Sequence, residues 1–441
     1  GYREESDFVK ASENARLQCP HCQALIPPEL KRELNIKGVW LKEGQKIDAS
    51  GQISGESRKS RIASFWLEGP AAAYQTWAQL TYKLLNAEHE YEMTGSEETL
   101  KAVTNTDWGL PYLPRSALEQ RRSDELMERR EEVEEKTVPP QCRFIVAAVD
   151  VQGGKNRRFV VQMVGYGENG ERWLIDRYNI SHTLPDRDGV IEKIDPRIPE
   201  DWHILISDVL EKRYVLAHKP SDFMPILAMA VDSGGEEGVT DNAYQFWRKC
   251  RRDGYAKRVY LVKGDSTKRQ KLITKTHPDN TSRSDRHASA RGDVPLYLLQ
   301  TDYLKDRINN ALSRDTVGAN YIHFPDWLGE WFFNELTYEE RGADGKWRKP
   351  GKGNNEAFDL FCYAHAIAIL RGYERIKWGD ENDVPSWAKL PDINPNIIRE
   401  TPRTAEQAVE IEEKPAKPQP KPTKAKSSWL SGGGRKTGGW L

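Results

Sequence analysis

The sequence has 441 residues, enough for two or three domains, and its 30% charged and 37% hydrophobic residues are typical of a globular protein. No apolar run reaches the roughly 18 residues that cross a bilayer, and no signal peptide is present, so we expect neither membrane association nor export. The 66 basic and 67 acidic residues leave a net charge of −1. This balance excludes a globally basic nucleic-acid binder but allows a local basic groove.

The five cysteines are odd in number and mostly far apart, which favours reduced thiols in a cytoplasm over a disulfide framework. The chain begins with Gly1 rather than Met, within a charged stretch that has no obvious helix start. From this beginning we expect a truncated or processed product.

Residues 1–115 are predicted to form a helical segment that carries one cysteine pair, Cys19 and Cys22. Apolar residues at helical spacing predict a helix from about Ala71 to Ala87. A second helix is expected near Thr94, where Glu97 would complete a capping box.

Residues 116–140 are predicted to form a charged helical linker. Glu and Arg interleave there at i,i+4 distances, a pattern typical of a solvated helix, and Pro139 and Pro140 end it.

Residues 141–385 are predicted to form one α/β domain. Three strands in a meander come first, and helices and strands then alternate, which indicates a mixed sheet flanked by helices. The predicted strands are Arg143–Val151, Arg158–Tyr166, Arg172–Tyr178, Ile226–Val231, Arg258–Val262 and Leu296–Leu299, and the predicted helices are Trp202–Leu216, Thr240–Arg252, Asp302–Ser313 and Asn355–Arg371.

Residues 386–441 are predicted to be a disordered tail. The hydrophobic pattern fades after about Asp380, and from Lys414 the chain is rich in Pro and Lys, then in Gly and Ser. Two apolar pairs interrupt this composition, Trp429-Leu430 and Trp440-Leu441, and we expect them to bind a partner.

Three acids stand at the ends of apolar elements. Asp150 and Asp232 end two apolar strands, and Asp359 lies on the last helix one turn after Glu356, a candidate accessory acid. Buried carboxylates are costly unless they hold cations, and hard cations such as Mg²⁺ or Mn²⁺ prefer oxygen ligands. The pattern predicts a two-ion site at Asp150, Asp232 and Asp359. A strand-end Asp can instead cap a turn, and for any one of the three alone that interpretation is favoured.

The wording of these segments resembles the nuclease of the lambda-type terminase large subunit (GpA) family. The segments are FIVAAVDVQG, AMAVDSGG, VKG and NEAFDLFCY, in this order along the chain. The resemblance implies an RNase H-like fold and an endonuclease that cuts concatemeric viral DNA during genome packaging in the host cell cytoplasm. It also places family acids at Asp150, Asp232 and Asp359.

The same resemblance implies partners and further candidate residues. The partners are double-stranded DNA, the small terminase subunit and the portal protein. Lys263 lies on a matched segment and is a candidate phosphate contact, although a solvent-facing strand-end lysine is the alternative. The family motor needs a P-loop, which this sequence lacks, so the ATPase region is expected upstream or on another chain, with residues 1–115 connecting it to the nuclease.

Other basic residues are candidate DNA contacts because they flank the second acid-bearing strand, although a solvated helix end explains each one equally well. They are Arg248, Lys249, Arg251, Arg252, Lys257, Arg258, Lys268, Arg269 and Lys271.

The Cys19–Cys22 pair resembles half of a zinc knuckle. A structural Zn²⁺ site needs four ligands, and relatives carry a further pair just upstream. A reduced pair in a turn is the alternative.

Two other functions remain open. A transposase, integrase or junction resolvase of the same fold would share the acids but transfer strands or act on branched DNA. A non-catalytic packaging adaptor would only dock on DNA or portal.

Overall fold

The structure is a computed structural model that describes residues 8–400 apart from 20–21, 49, 58, 60, 115–121, 186–187, 266–270, 278–291 and 343. No helix in these ranges is long and apolar enough to cross a membrane. Residues 401–441, with the predicted disorder and the two Trp-Leu pairs, lie outside the described residues.

The N-terminal segment contains short helices and two small hairpins, β1–β2 and β3–β4. Its elements are α1 (Phe8–Glu13), β1 (Leu17–Gln18), β2 (Leu25–Ile26), α2 (Lys31–Lys37), β3 (Lys46–Ile47), β4 (Ile53–Ser54), α3 (Trp77–Thr94) and α4 (Glu98–Ala102). The capping box lies at Thr76 and Gln79, not at Thr94 and Glu97, so α3 begins later than expected. It ends at Gly95, whose φ of 70° suits glycine.

The remaining elements form one large sheet with helices on both faces. The helices are α5 (Ser123–Glu128), α6 (Val239–Arg252), α7 (Thr301–Leu312), α8 (Glu330–Thr337) and α9 (Glu356–Leu370). The strands are β5 (Arg130–Glu131), β6 (Thr137–Val138), β7 (Phe144–Gln152), β8 (Arg158–Tyr166), β9 (Arg172–Ile180), β10 (Arg213–Leu216), β11 (Lys219–Asp232), β12 (Val259–Gly264), β13 (Ile273–Thr276), β14 (Leu296–Leu299), β15 (Ile322–Pro325), the outlying hairpin β16 (Glu340–Arg341) and β17 (Trp347–Arg348), and β18 (Ile398–Arg399).

The strand order is β13-β14-β12-β11-β7-β8-β9-β15-β5. Strands β10 and β18 also pair with β11, and β6 pairs with β10. Strands β7, β8 and β9 form an antiparallel meander, while β11 lies parallel to β7 and β12 parallel to β11. This arrangement confirms the expected RNase H-like mixed sheet.

Strand β7 is buried on both faces, which explains its continuous apolar run. Phe144, Val146 and Ala148 pack in the core beneath α7, α8 and α9. The alternate residues Ile145 and Val149 pack in a second core with Trp202 and α6. The central strand is thereby fixed from two sides.

The prediction of a charged helical linker is wrong for residues 122–138, which the structure describes. Helix α5 packs on α8, and its Leu126 is buried in the core. Strand β5 then pairs with β15, and β6 pairs with β10. Residues 122–138 therefore belong to the large sheet and the helices packed on it rather than to a solvated linker.

Two further expectations need correction. Residues 202–216 are not one helix, because short helical turns at Pro199–His203 and Ile206–Leu210 lead into β10. Residues 386–399 are not tail, because β18 pairs with β11, and Ala388 and Ile397 are buried. The sheet domain thus extends beyond the expected boundary at residue 385.

Candidate active site

The acidic site begins with the parallel pairing of β7 and β11. Val231 lies opposite Val149, so the next residues, Asp232 and Asp150, lie side by side near the carboxyl ends of their strands. The carboxyl ends of adjacent parallel strands are where α/β sheets bind ligands.

Helix α9 brings the remaining acids to these strand ends. It packs across β7, β8 and β11, and its first turn carries Glu356 and Asp359. Residues Glu356 to Ala368 are otherwise almost all apolar and buried, so the helix lies flat against the sheet. The predicted acids are thereby brought to one region, which we call the acidic edge: Asp150, Asp232, Asp359 and Glu356.

The electrostatics show that these acids influence one another. Burial first, and then the charge of Asp232, raise the pKa of Asp150 to about 7, and a hydrogen bond from Gln152 opposes the rise. The charges of Asp359 and Glu356 also raise the pKa of Asp150. Burial also raises the pKa of Asp232, again with a contribution from Asp359. Such mutual repulsion is relieved when a cation binds among the carboxylates.

Glu356 is the acid least satisfied by the protein, because it is buried and its Oε2 has no hydrogen-bond partner among the described residues. Its nearest cation is Arg158, whose Nη2 lies 3.6 Å from Oε1. A buried, unpartnered carboxylate oxygen beside two acids of raised pKa has the chemistry that a hard divalent cation requires.

Asp359 is held by groups that the sequence analysis missed. Lys305 Nζ lies 2.8 Å from Oδ1, and the Asn355 amide donates to Oδ2 over 2.7 Å. Lys305 also binds Glu339. No spacing or strand-end signal points to these residues, which come from α7 and from the loops beside α8 and α9.

A second missed pair fixes the start of α9. Arg177 Nη2 lies 2.9 Å from Glu335 Oε2, which also accepts a hydrogen bond from the Ala357 amide over 3.0 Å. Burial lowers the pKa of Arg177, although the charges of Glu335, Glu356 and Asp150 oppose this. The pair therefore ties β9 and α8 to the helix turn that carries Glu356.

As the side chains stand, no group of three or more His, Cys, Asp or Glu in the described ranges is arranged to hold a metal ion. For the acidic edge this agrees with Asp359 being engaged by Lys305 and Asn355. The donor types, their burial and the unpartnered Glu356 oxygen nevertheless fit a divalent cation.

The zinc expectation has no support from the structure. Cys19 is half-buried and Cys22 exposed, on the turn between β1 and β2. No third His, Cys, Asp or Glu in the described part of the chain completes a metal-holding group with them.

Lys263 is the second-last residue of β12, the strand next to the one that carries Asp232, and it is exposed. Its charge acts against the rise in the pKa of Asp232, so it lies close enough to sense the acidic edge. A phosphate bound at that edge would lie within its field.

The other basic candidates are mostly engaged elsewhere. Arg248 and Arg251 pair with Asp293, and Lys249 pairs with Asp253. Arg258 donates to the carbonyls of Leu210 and Ile226, at the opposite end of the strands from the acids. Lys268 and Arg269 lie outside the described residues.

The strand order defines a mixed α/β sheet of the RNase H-like type, with two acids near the carboxyl ends of β7 and β11. A family model described as terminase large subunit gpA, endonuclease domain, matches residues 62–378, well over half of the chain. The chain belongs to this family.

Among curated proteins nothing matches. A solved structure of the large terminase from a thermophilic bacteriophage aligns with 15% identity and a TM-score of 0.31. The alignment covers 64% of this chain and 51% of that one, so the chain spans about half the length of that terminase.

Proposed function

We propose that the protein is the metal-dependent DNA endonuclease of a phage terminase large subunit, which cuts concatemeric viral DNA during genome packaging. One observation carries the proposal. Four carboxylates from β7, β11 and α9 lie close enough to influence one another near the carboxyl ends of β7 and β11, and two of them have raised pKa values, in a chain of the terminase endonuclease family.

Asp150, on the central strand, is the acid we assign to both of two Mg²⁺ or Mn²⁺ ions, with Asp232 and Asp359 each holding one. Bound there, such cations make water a stronger nucleophile and stabilise the leaving oxygen of the phosphodiester. Glu356 is an accessory acid that accepts a hydrogen bond from water or supports a cation. Lys263 neutralises a phosphate of the duplex next to the scissile one.

The proposed partners are double-stranded DNA, the small terminase subunit and the portal protein, met in the host cell cytoplasm. The packaging ATPase would be supplied by another region of the same protein or by another chain, because the P-loop pattern is missing from this sequence. On this proposal the polypeptide cuts DNA but does not translocate it.

The test is cleavage of supercoiled plasmid. We expect nicked and linear products with Mn²⁺ or Mg²⁺ and intact plasmid in EDTA. Cleavage that persists in EDTA contradicts the metal mechanism. An assay with donor ends separates hydrolysis from strand transfer, since joined products would indicate a transposase or integrase. Absence of both cleavage and Mn²⁺ binding would favour a packaging adaptor.

A further inference from the structure

A buried lysine lies directly behind the acidic edge. Lys305, on α7, is 7% exposed. Its Nζ lies 2.7 Å from each carboxylate oxygen of Glu339 and 2.8 Å from Oδ1 of Asp359. The Phe358 ring centroid, 5.6 Å from Nζ, covers it on another side. The ammonium group therefore faces two carboxylates in a space with little water.

Asn355 completes the cluster. Its amide donates to Oε1 of Glu339 and to Oδ2 of Asp359. Both oxygens of Asp359 thus have a protein partner, whereas Oε2 of Glu356 has none among the described residues. One positive and two negative side chains share the cluster, so Lys305 is the cation that allows Glu339 and Asp359 to lie together in a buried place.

We propose that Lys305, anchored by Glu339, engages Oδ1 of Asp359 and, as a fixed positive charge beside the acidic edge, limits how tightly that edge binds a divalent cation. This inference rests on the proposed metal-dependent function. It assigns Glu339 the role of sharing the positive charge of Lys305 with Asp359, because both carboxylates bind the one ammonium group.

Two single substitutions should change Mn²⁺ affinity in opposite directions. Lys305→Met removes the fixed charge and frees Asp359, so Mn²⁺ should bind about tenfold more tightly. Glu339→Gln leaves Lys305 with Asp359 as its one acidic partner in the cluster, so Mn²⁺ should bind about tenfold more weakly. The measurement is calorimetric titration of the full chain with MnCl₂. An ion pair that only supports the fold would not produce opposite signs.

Thermal unfolding gives a second measurement that does not depend on activity. In EDTA, Lys305→Met should unfold at a lower temperature than the wild type, and saturating Mn²⁺ should recover most of the loss. The double variant Lys305→Met/Glu339→Gln restores the formal charge of the cluster and should be more stable in EDTA than Lys305→Met. If Lys305→Met does not fold, the weaker binding of Glu339→Gln carries the test.

The inference is overturned if both single variants shift Mn²⁺ affinity in the same direction or leave it unchanged. It is also overturned if Lys305→Met loses equal stability with and without Mn²⁺. A wild-type protein that binds and cuts, with variants that behave in these ways, refutes this inference alone. A wild-type protein that neither binds Mn²⁺ nor cuts DNA refutes the proposed function as well.

Discussion

Asp150 and Asp232 are buried carboxylates with raised pKa values, and Asp359 lies beside them on α9. This grouping of acids is the basis of our first prediction. Changing each to Asn keeps the shape and removes the charge. We expect each of the three variants to lose plasmid cleavage by several orders of magnitude, well beyond the roughly 10²-fold typical of one lost positioning contact.

The matched control is Asp241→Asn, an exposed acid in the first turn of α6. It should cut at the wild-type rate. Circular dichroism should show all four variants folded, because Asn has nearly the same size and shape as Asp. An active variant among the three would show that the wrong carboxylate has been chosen.

His365 provides a pH prediction away from the acidic edge. It is buried on α9, and burial, together with the charges of Arg172 and Arg307, holds its pKa well below the ordinary value. The folded protein therefore binds fewer protons at this site than the unfolded chain does. His365 therefore stabilises the fold at pH values above its unfolded-state pKa of about 6.5. This stabilisation is lost as the pH falls toward the pKa of the folded state, by at most roughly 1.4 kcal/mol per pH unit.

The measurement is the free energy of unfolding of the metal-free protein in urea between pH 8 and pH 5. We expect His365→Gln, which keeps an acceptor for Arg172, to lose less stability on acidification than the wild type. Exposed His182→Gln should keep the wild-type slope. Asp150 has a raised pKa, so its protonation favours the folded state as the pH falls. This contribution is the same in all three proteins and cancels when their slopes are compared. Identical slopes for all three proteins would contradict a neutral buried His365.

The acids could be chosen from sequence because each follows an apolar run or sits in an apolar helix, and the structure places them near the carboxyl ends of β7 and β11. Their catalytic role stays a prediction. Lys305, Glu339 and Glu335 could not be chosen, because they meet the acids only through packing of α7 and α8 on α9. A single charged residue in a polar segment has no pattern that marks such a contact.

At the scale of elements, long apolar strands were predictable and short ones were not. Strand β7 differs from its expected range by one residue at each end, and β14 matches it. Strands β5, β6 and β18 have two residues each, too few for a period of two to appear. Residues 122–138 were misjudged because one buried leucine is surrounded by charges.

Leu126 provides a test of whether residues 122–138 pack in the domain or form a solvated linker. Leu126 is 3% exposed and packs in the core between α5 and α8. We expect Leu126→Ala to lower the free energy of unfolding by roughly 2–5 kcal/mol. The neighbouring Glu125→Ala, on the exposed side of α5, should change it by less than about 0.5 kcal/mol. Equal effects in a urea titration would restore the solvated-linker interpretation.

For the whole molecule, the sequence predicts that the last residues serve as a tether. We expect deletion of residues 414–441 to leave plasmid cleavage intact and to remove binding to portal, because Trp429 and Trp440 are the apolar anchors of an otherwise polar segment. Replacing only these two residues with Ser should reproduce the deletion. Loss of nuclease activity on deletion, or unchanged portal binding in a pull-down, would contradict the tether.

Strand β18 gives such a tether a mechanical property. It joins β11 at Asp222 and Phe223, whereas Asp232 lies nine residues further along the same strand, a rise of about 30 Å. A force applied to the chain beyond residue 400 would act first on β18, and this strand of two residues would separate from β11 under a small force. The other end of β11 pairs with both β7 and β12. We therefore expect β18 to separate before Asp232 and the acidic edge are displaced.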